Sequence, residues 1–399
     1  MVEMTIVMNM VTTIEQAVHP LFLIFHILGL GIHTLKKPYL SIFYNVTLWI
    51  VYGYVFYYVI VGLKVEKWFL ATFTLLNILM NFLVLIISII VSSYQHKEMR
   101  MFVKKLATVD NTLEELGTPK IYRKFYVCIK WVLIGWLVCS QTANIIDMMW
   151  WSYTVENQWC MIIPYITNHY QHVNMLVDLA FIICLWYIGN RFDNLNEHMR
   201  CLLLIEEHDV KYTWKNVVLP TRRHIICIKN YKHVLWTTMH LHLELCQLAR
   251  ELNAMFKIQM TMEMITYLAC LTRLLRYIFL HIIRGDIFLL SPLNWIDISF
   301  WISLYIARLF CLNYICESVS AKSNEINTII HQLTDPLRYA DIRDEIYQFT
   351  LQTIHHPLKF TGLGLFYFGN GFLRKFFSTI MTYVIIIIQS KVSKTSVIY

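Results

Sequence analysis

The sequence is poor in charged residues and in the two residues that most often interrupt helices. Only 15% of the 399 residues are Asp, Glu, Lys or Arg, and there are 12 glycines and 8 prolines. Hydrophobic residues make up 57% of the chain, and the mean hydropathy is +0.50. A water-soluble protein of this length could not bury so much apolar surface, so the solvent for most of the chain is expected to be lipid. The scarcity of glycine and proline favours long helices over a β-barrel.

Seven apolar stretches are long enough to cross about 30 Å of hydrocarbon as helices. They lie near 39–63, 68–93, 127–150, 163–189, 257–283, 296–317 and 370–390. A shorter apolar piece at 20–32 is predicted to be an interfacial or re-entrant helix. The sequence therefore predicts an all-α membrane protein with seven transmembrane helices.

The distribution of Lys and Arg predicts the orientation of these spans. The second, fourth and sixth connections carry seven, nine and four basic residues, whereas the connections on the opposite side carry five in all. Because basic residues concentrate on the cytosolic side, the N-terminus is expected in the cytosol and the C-terminus outside the cell. No basic segment precedes the first apolar run, so a cleaved signal peptide is not expected. The basic loops are expected to contact anionic membrane lipid, and no nucleic acid is expected as a partner.

The long cytosolic connections are predicted to be helical extensions that form an anchor region. In the fourth connection the apolar residues Leu241, Leu245, Leu248, Leu252 and Met255 recur at helical spacing, so they form one face. That face needs a partner, which could be another helix of the chain or a neighbouring subunit. The predicted divisions are an N-terminal segment 1–38, a six-span bundle 39–317 with cytosolic loops 94–126 and 190–256, an anchor region 318–369, a last helix 370–390 and an extracellular tail 391–399.

Several classes of protein lack support in the sequence. An enzyme is not expected, because no nucleophile motif, phosphate-binding loop or pair of catalytic carboxylates stands in a suitable context. No cofactor is expected, and the paired histidines have no Cys or acidic partner at the spacing of a metal site. A G-protein-coupled receptor is disfavoured by the inverted orientation and by the lack of an Asp-Arg-Tyr triplet after the third span. A secondary transporter stays the alternative, although Gly and Pro interrupt only the segment before the last span.

The C-terminal region carries the most specific motif. It begins with the run "FTGLGLF", which contains Gly364 and Phe366, and continues with Thr382-Tyr383, five hydrophobic residues and Gln389. This pattern resembles the C-terminal signature of the insect gustatory receptor family, relatives of the insect odorant receptors. The family signature ends in Gln-Phe, whereas this chain has Ser390 after the glutamine. The resemblance in motif is limited to the last forty or so residues, whereas the resemblance in topology extends over the whole chain.

The resemblance implies a ligand-gated, non-selective cation channel for taste stimuli in the plasma membrane. It would be a homotetramer, or a heterotetramer with related receptors, and the seventh spans would line a central pore. Residues three and four apart share a helix face, so one stripe would face that pore. The residues of that stripe are Ser378, Thr382, Ile385 or Ile386, and Gln389. Alternatively, Gln389 caps the helix at the outer interface. Tyr383 is expected to point away from the pore and to pack on the fifth or sixth span.

Charged residues inside the spans give a second candidate site, because such residues are costly unless they are paired or hydrated. They could form ion pairs across the bundle, with Arg308 near the middle of the sixth span among them. Alternatively, they could line a polar vestibule that receives a small-molecule tastant between aromatic walls. The candidate ligand-binding residues are Asp147, Trp150, Trp151, Tyr165, His169, Asp178, Tyr267, Arg273 and Arg276. The identity of the tastant cannot be read from the sequence.

Overall fold

The computed structural model describes residues 11–30, 38–59, 72–154, 161–210, 231–284, 292–332 and 343–396. Helices occupy most of these ranges, and a single two-stranded hairpin precedes the last helix. The helices are α1 (Ile14–Ile27), α2 (Pro38–Tyr57), α3 (Thr72–Glu115), α4 (Tyr122–Thr154), α5 (Ile163–Thr167), α6 (His169–Val210), α7 (Tyr231–Arg284), α8 (Pro292–Gln332), α9 (Arg343–His355) and α10 (Asn370–Ser396); the strands are β1 (Thr361–Gly362) and β2 (Phe366–Tyr367).

Three of these helices are long and apolar enough to cross a membrane, within the part of the chain that the structure describes. They comprise Tyr122–Tyr153, His169–Cys201 and Pro292–Ile330. The longest helix, α7, has 54 residues and would extend about 80 Å at 1.5 Å per residue, far more than the hydrocarbon thickness. Such a helix can contain both a membrane segment and an extension outside it. Within the described ranges the fold is all-α apart from the hairpin.

The predicted apolar face of the fourth connection lies inside the chain itself. Leu241, Leu245, Leu248 and Leu252 are buried on α7, and they belong to the same continuous core as residues of α3, α6 and α8. Helix α7 packs on α3 and α6, and α6 packs most extensively on α8. A neighbouring subunit is therefore not needed to cover this face.

The N-terminal helix begins six residues earlier than the predicted apolar piece at 20–32. Thr13 and Gln16 form a capping box, in which the backbone N–H of Gln16 donates to Thr13 Oγ1 at 3.3 Å. The helix buries one face, including Val18 and Phe25, and packs on α4. It is thus part of the bundle core. The apolar run alone predicts a later start than the capping box, which marks the true start of the helix.

The predicted span 163–189 is not one continuous helix. It is divided into α5 and α6 at Asn168, whose backbone N–H bonds Pro164 O at 2.9 Å. The Asn168 side chain turns away to Asp147 on α4, where its Nδ2 donates to Oδ2 at 2.5 Å. The prediction of one unbroken helix was wrong here, because apolar length alone does not show where a helix ends.

The last segment has the predicted division into a helix, an interruption and a second helix. Helix α9 ends before Pro357, and the hairpin pairs Thr361 with Tyr367 and Gly362 with Phe366. Helix α10 then begins at Asn370 and continues to Ser396, six residues past its predicted end. Residues 397–399 of the predicted tail lie outside the described ranges.

Two side chains of α8 hold the start of α10. Asn313 Oδ1 accepts from the Gly369 N–H at 2.9 Å, and Glu317 Oε2 accepts from the Asn370 N–H at 2.7 Å. The first N–H groups of a helix have no partner inside the helix, and a carboxylate there also interacts favourably with the helix dipole. These two contacts fix the base of the last helix against α8.

Candidate ligand-binding and pore-forming sites

The first polar cluster is centred on Asp147 of α4. Its two carboxylate oxygens accept from Asn168 Nδ2 at 2.5 Å and from Trp301 Nε1 at 3.0 Å. The carboxyl group of Asp297 on α8 lies next to it. Close by, His172 Nε2 lies 3.0 Å from Asn144 Oδ1. Asp147 is therefore held by neutral donors from two other helices, which is an arrangement of few placed polar groups among aromatic walls.

Three of the predicted aromatic residues lie at this end of the bundle. Trp150 Nε1 donates to Asn294 Oδ1 at 2.7 Å, and its ring meets Trp151 edge-on with centroids 5.2 Å apart. The ring centroids of His169 and Tyr52, which is on α2, are 4.9 Å apart. Tyr165, by contrast, is exposed, so it does not form a wall of this cluster within one chain.

The second polar cluster is deeper in the bundle and is centred on Asp178 of α6. Arg308 on α8 donates to Asp178 Oδ2 from Nε at 3.1 Å and from Nη2 at 2.6 Å. The Tyr267 hydroxyl donates to the same oxygen at 2.7 Å and lies 2.9 Å from Glu263 Oε2. All four side chains are largely buried. This cluster joins α6, α7 and α8 and contains the ion pair that the sequence left open as one possibility.

The nine predicted ligand-binding residues are therefore not one constellation. Trp301 and Arg308 stand seven residues apart on α8, which places the two clusters about 10 Å apart along that helix. Arg273 lies near Asp297 and thus near the first cluster, whereas Tyr267 belongs to the second. Arg276 stands three residues after Arg273 on α7, so the two lie on the same side of that helix.

Two partners in these clusters were missed by sequence reasoning. Glu263 stands inside the predicted span 257–283, so the cost of an ionisable residue in a membrane could have identified it. Its spacing from Gln259 and Tyr267 is four residues each way, and both contact it in the structure. Trp301 gave no comparable signal, because an aromatic residue in a span is ordinary.

A second buried charge pair joins α3 to α6. Arg191 Nε of α6 is 2.7 Å from Asp110 Oδ1 of α3, and both side chains are about 1% exposed or less. The Tyr187 hydroxyl donates to Asp110 Oδ2 at 2.6 Å. Burial raises the pKa of the Asp110 carboxyl, while the Arg191 charge acts in the opposite direction. The two residues stand on different helices and far apart in the chain, so the sequence could not reveal their contact.

The predicted pore residues all lie on the open side of α10. Leu373, Phe376, Ile380 and Val384 are buried against the bundle. At about 100° per residue, the opposite side of the helix is occupied by Ser378, Thr382, Ile385 and Gln389, each exposed in the single chain. Ile386 is also exposed but is turned about 100° from Ile385. The stripe is therefore available to line a shared space.

The packing of Tyr383 on the fifth or sixth span stays a prediction. Its side chain is 50% exposed, on the flank between the buried face and the open face of α10. Of the two other signature residues, Phe366 stacks on Phe372 with centroids 4.4 Å apart, and Gly364 has a positive φ of 76° in the hairpin turn. The signature run thus builds the hairpin that joins α9 to α10.

No group of three or more His, Cys, Asp or Glu side chains is placed to hold a metal ion, among the residues that the structure describes. The two polar clusters instead consist of carboxylates with arginine, tryptophan, tyrosine and amide donors. Such sets can bind or orient small polar molecules but show no activated nucleophile.

Comparison with solved structures places this fold with insect receptors. The olfactory receptor OR5 from Machilis hrabei superimposes with a TM-score of 0.60 over 94% of this chain and 97% of that chain, at 15% identity. The same receptor in complex with eugenol gives a TM-score of 0.57 over the same shares, at 16% identity. At these identities the likeness shows a shared fold.

Comparison of sequences gives the family. The Drosophila melanogaster protein assigned as gustatory receptor 28b is 22% identical over 312 residues, which are 72% of this chain and 63% of that relative. The match thus spans less than two thirds of the relative's length. The family model described as 7tm chemosensory receptor matches residues 19–394. This confirms the resemblance drawn from the C-terminal motif: the chain belongs to the 7tm chemosensory receptor family of membrane proteins.

Proposed function

We propose that the chain is a gustatory receptor and is itself a ligand-gated, non-selective cation channel of the plasma membrane. The observation that carries the proposal is the open stripe of α10, formed by Ser378, Thr382, Ile385 and Gln389 opposite the buried face. Four copies of this stripe around an axis would enclose a pore. An aliphatic ring of Ile385 can close such a pore by dewetting, and polar rings beside it can pass hydrated cations.

The tastant would bind in the outer half of the six-span bundle. The cluster of Asp147, Trp150 and Trp151 offers a carboxylate and indole rings on α4, and Trp301 brings α8 to the same place. The eugenol complex of the related olfactory receptor supports a small organic molecule as the ligand class. Binding between α4 and α8 would shift α8, and α8 holds the base of α10 through Asn313 and Glu317.

The proposed topology has seven spans, with the N-terminus in the cytosol and the C-terminus outside. Charge counts in the connections support this orientation. An epitope placed after Tyr399 should then be stained on intact cells. Staining that requires permeabilisation would exclude the topology and, with it, the role of Gln389 near the outer end of a pore.

Ion selectivity tests the channel proposal directly. Gln389→Lys should place a ring of positive charges in the pore and reduce the permeability of cations relative to anions, which is measured as a shift in reversal potential when external sodium chloride is diluted. Thr379→Lys is the matched control, since Thr379 is exposed on α10 but lies about 60° from Thr382 and about 80° or more from the other stripe residues. Equal reversal potentials in wild type and Gln389→Lys would remove this residue from the pore.

A further inference from the structure

A cavity of about 290 Å³ lies among the cytosolic extensions, away from both membrane clusters. It is enclosed by α7, α8, α9 and the linker that leads from α9 to the hairpin. Five of its lining residues are buried, and the four that carry polar atoms form the floor. These are His242, Cys246, Ser323 and Thr353. A cavity of this size is at the lower end for ligand sites, so it suits a small molecule or a single polar head group.

The floor of the cavity is held by hydrogen bonds within the protein. His242 Nε2 lies 3.0 Å from the Ser323 carbonyl oxygen, and Cys246 Sγ lies 3.2 Å from Ser323 Oγ. Thr353 Oγ1 bonds to Phe349 O at 3.1 Å and also contacts Asn327. These contacts join α7, α8 and α9, so the shape of the cavity exists without a ligand.

The rim of the cavity is positively charged and rich in donors. Arg250 is exposed there, and one of its five N–H groups donates to His356 O at 2.7 Å. The Asn324 and Gln352 amides and the His356 ring are the other polar groups near the opening. No Asp or Glu is among the described residues that line the cavity. An arginine with amide donors and no opposing carboxylate is an anion-binding set.

We propose that this cavity binds a phosphate group from the cytosolic side. The polar groups at the rim come from four different elements: α7, α8, α9 and the following linker carry Arg250, Asn324, Gln352 and His356 respectively. Such convergence suits a tetrahedral anion, whose oxygens point in several directions, better than a planar carboxylate. A bound phosphate would tie α7 to the linker that carries the hairpin and α10. The source could be a soluble phosphorylated compound or the head group of a phosphoinositide lipid.

Binding can be tested with inorganic pyrophosphate as a soluble probe. The experiment uses the full-length protein purified in detergent. The readout is the unfolding temperature as a function of pyrophosphate concentration, which does not depend on channel activity. Wild type should show a saturable rise. Arg250→Gln should need about tenfold to a hundredfold more pyrophosphate, because a hydrogen bond to a charged group is lost. Arg123→Gln, an exposed cytosolic arginine of α4 outside the cavity, is the matched control and should behave as wild type.

A second variant keeps the proposal testable if Arg250→Gln does not fold. Gln352→Glu places a carboxylate at the exposed rim and should weaken pyrophosphate binding by repulsion without disturbing the core. Wild-type protein in phosphatidylcholine nanodiscs, with and without phosphatidylinositol 4-phosphate, distinguishes the two sources. If the lipid is the source, its presence raises the unfolding temperature of wild type but not of Arg250→Gln. The absence of a saturable response in every arm, or equal responses of wild type and both cavity variants, would overturn the proposal.

Discussion

Arg308 on α8 donates two hydrogen bonds to a single oxygen of Asp178 on α6, at 3.1 and 2.6 Å. Tyr267 on α7 donates to the same oxygen at 2.7 Å. Glu263, also on α7, lies 3.6 Å from the Arg308 guanidinium. One carboxylate oxygen therefore holds three helices of the bundle together at a depth where water cannot replace the bonds.

Removing the arginine from this cluster should strongly destabilise the protein. Arg308→Met leaves Asp178 and Glu263 buried without a counter-charge, which is expected to cost about 3–5 kcal/mol. Thermal unfolding of the purified receptor would measure the loss. Glu263→Gln is the matched control, because it removes one acid and leaves the Asp178–Arg308 pair one-to-one. If Arg308→Met unfolds at the same temperature as Glu263→Gln, the ion pair does not stabilise the bundle.

The two neighbouring isoleucines of α10 should differ in their effect on the closed channel. Ile385 lies on the stripe opposite the buried face, while Ile386 is turned about 100° away. Ile385→Ser should hydrate the closed pore and raise the resting current several-fold, since an apolar ring closes a pore by excluding water. Ile386→Ser should raise it less, when both currents are recorded without ligand and normalised to surface expression. A larger current in Ile386→Ser would assign the gate to the other face.

Acid should destabilise the packing of α7 on α8 through His242. Burial lowers the pKa of His242 from 6.5 to about 4. Between these values the unfolded chain binds a proton and the folded chain does not, so stability is lost as the pH falls from about 6.5 to 4, by at most about 3 kcal/mol. Unfolding temperatures measured across this range would show the effect.

The matched pair of variants for this test is His242→Gln and His240→Gln. His240 is exposed on the same helix and faces Glu244. His242→Gln should remove part of the acid sensitivity, whereas His240→Gln should leave the pH profile as in wild type. Identical profiles in all three proteins would contradict the burial of a neutral imidazole at position 242.

The hairpin before α10 should tolerate a methyl group at one glycine and not at another. A Cβ added at Gly362 would lie 2.4 Å from the Phe366 ring and 2.8 Å from Thr261 Oγ1 of α7, so Gly362→Ala must displace the hairpin. A Cβ at Gly371 meets nothing within 4 Å, so Gly371→Ala should fold normally. We expect a loss of about 1–3 kcal/mol for Gly362→Ala, measured by thermal unfolding. Equal unfolding temperatures for both variants would show that the hairpin does not pack closely on α7.

The helices themselves could be predicted from apolar length, but their joints could not. The spacing of Leu241 and Leu245 predicts an apolar face on α7. Its partners, α3 and α6, are known only from the structure. The joint between α5 and α6 lies at Asn168, whose side chain bonds Asp147, 21 residues away on another helix. Helix periodicity contains no information about such a contact. The start of α1, however, was readable in the Thr13–Gln16 capping box.

The candidate sites were predicted in part. Asp147, Asp178 and Arg308 stood out because charges in a span are costly, and they lie at the centres of the two polar clusters. Their division into two levels required the relative register of α4, α6 and α8, which the sequence does not encode locally. The stripe of α10 was predicted from spacing alone, because a helix face depends only on the positions of residues within one helix.

The arrangement of α10 in the assembled receptor tests the central claim most directly. Electron cryomicroscopy of the purified full-length protein in lipid nanodiscs would show it without the need for a known tastant. The account predicts four copies around a central axis, with Ile385 forming the narrowest ring and Gln389 facing the same pore. A monomer, or an assembly in which the open face of α10 contacts lipid, would contradict it.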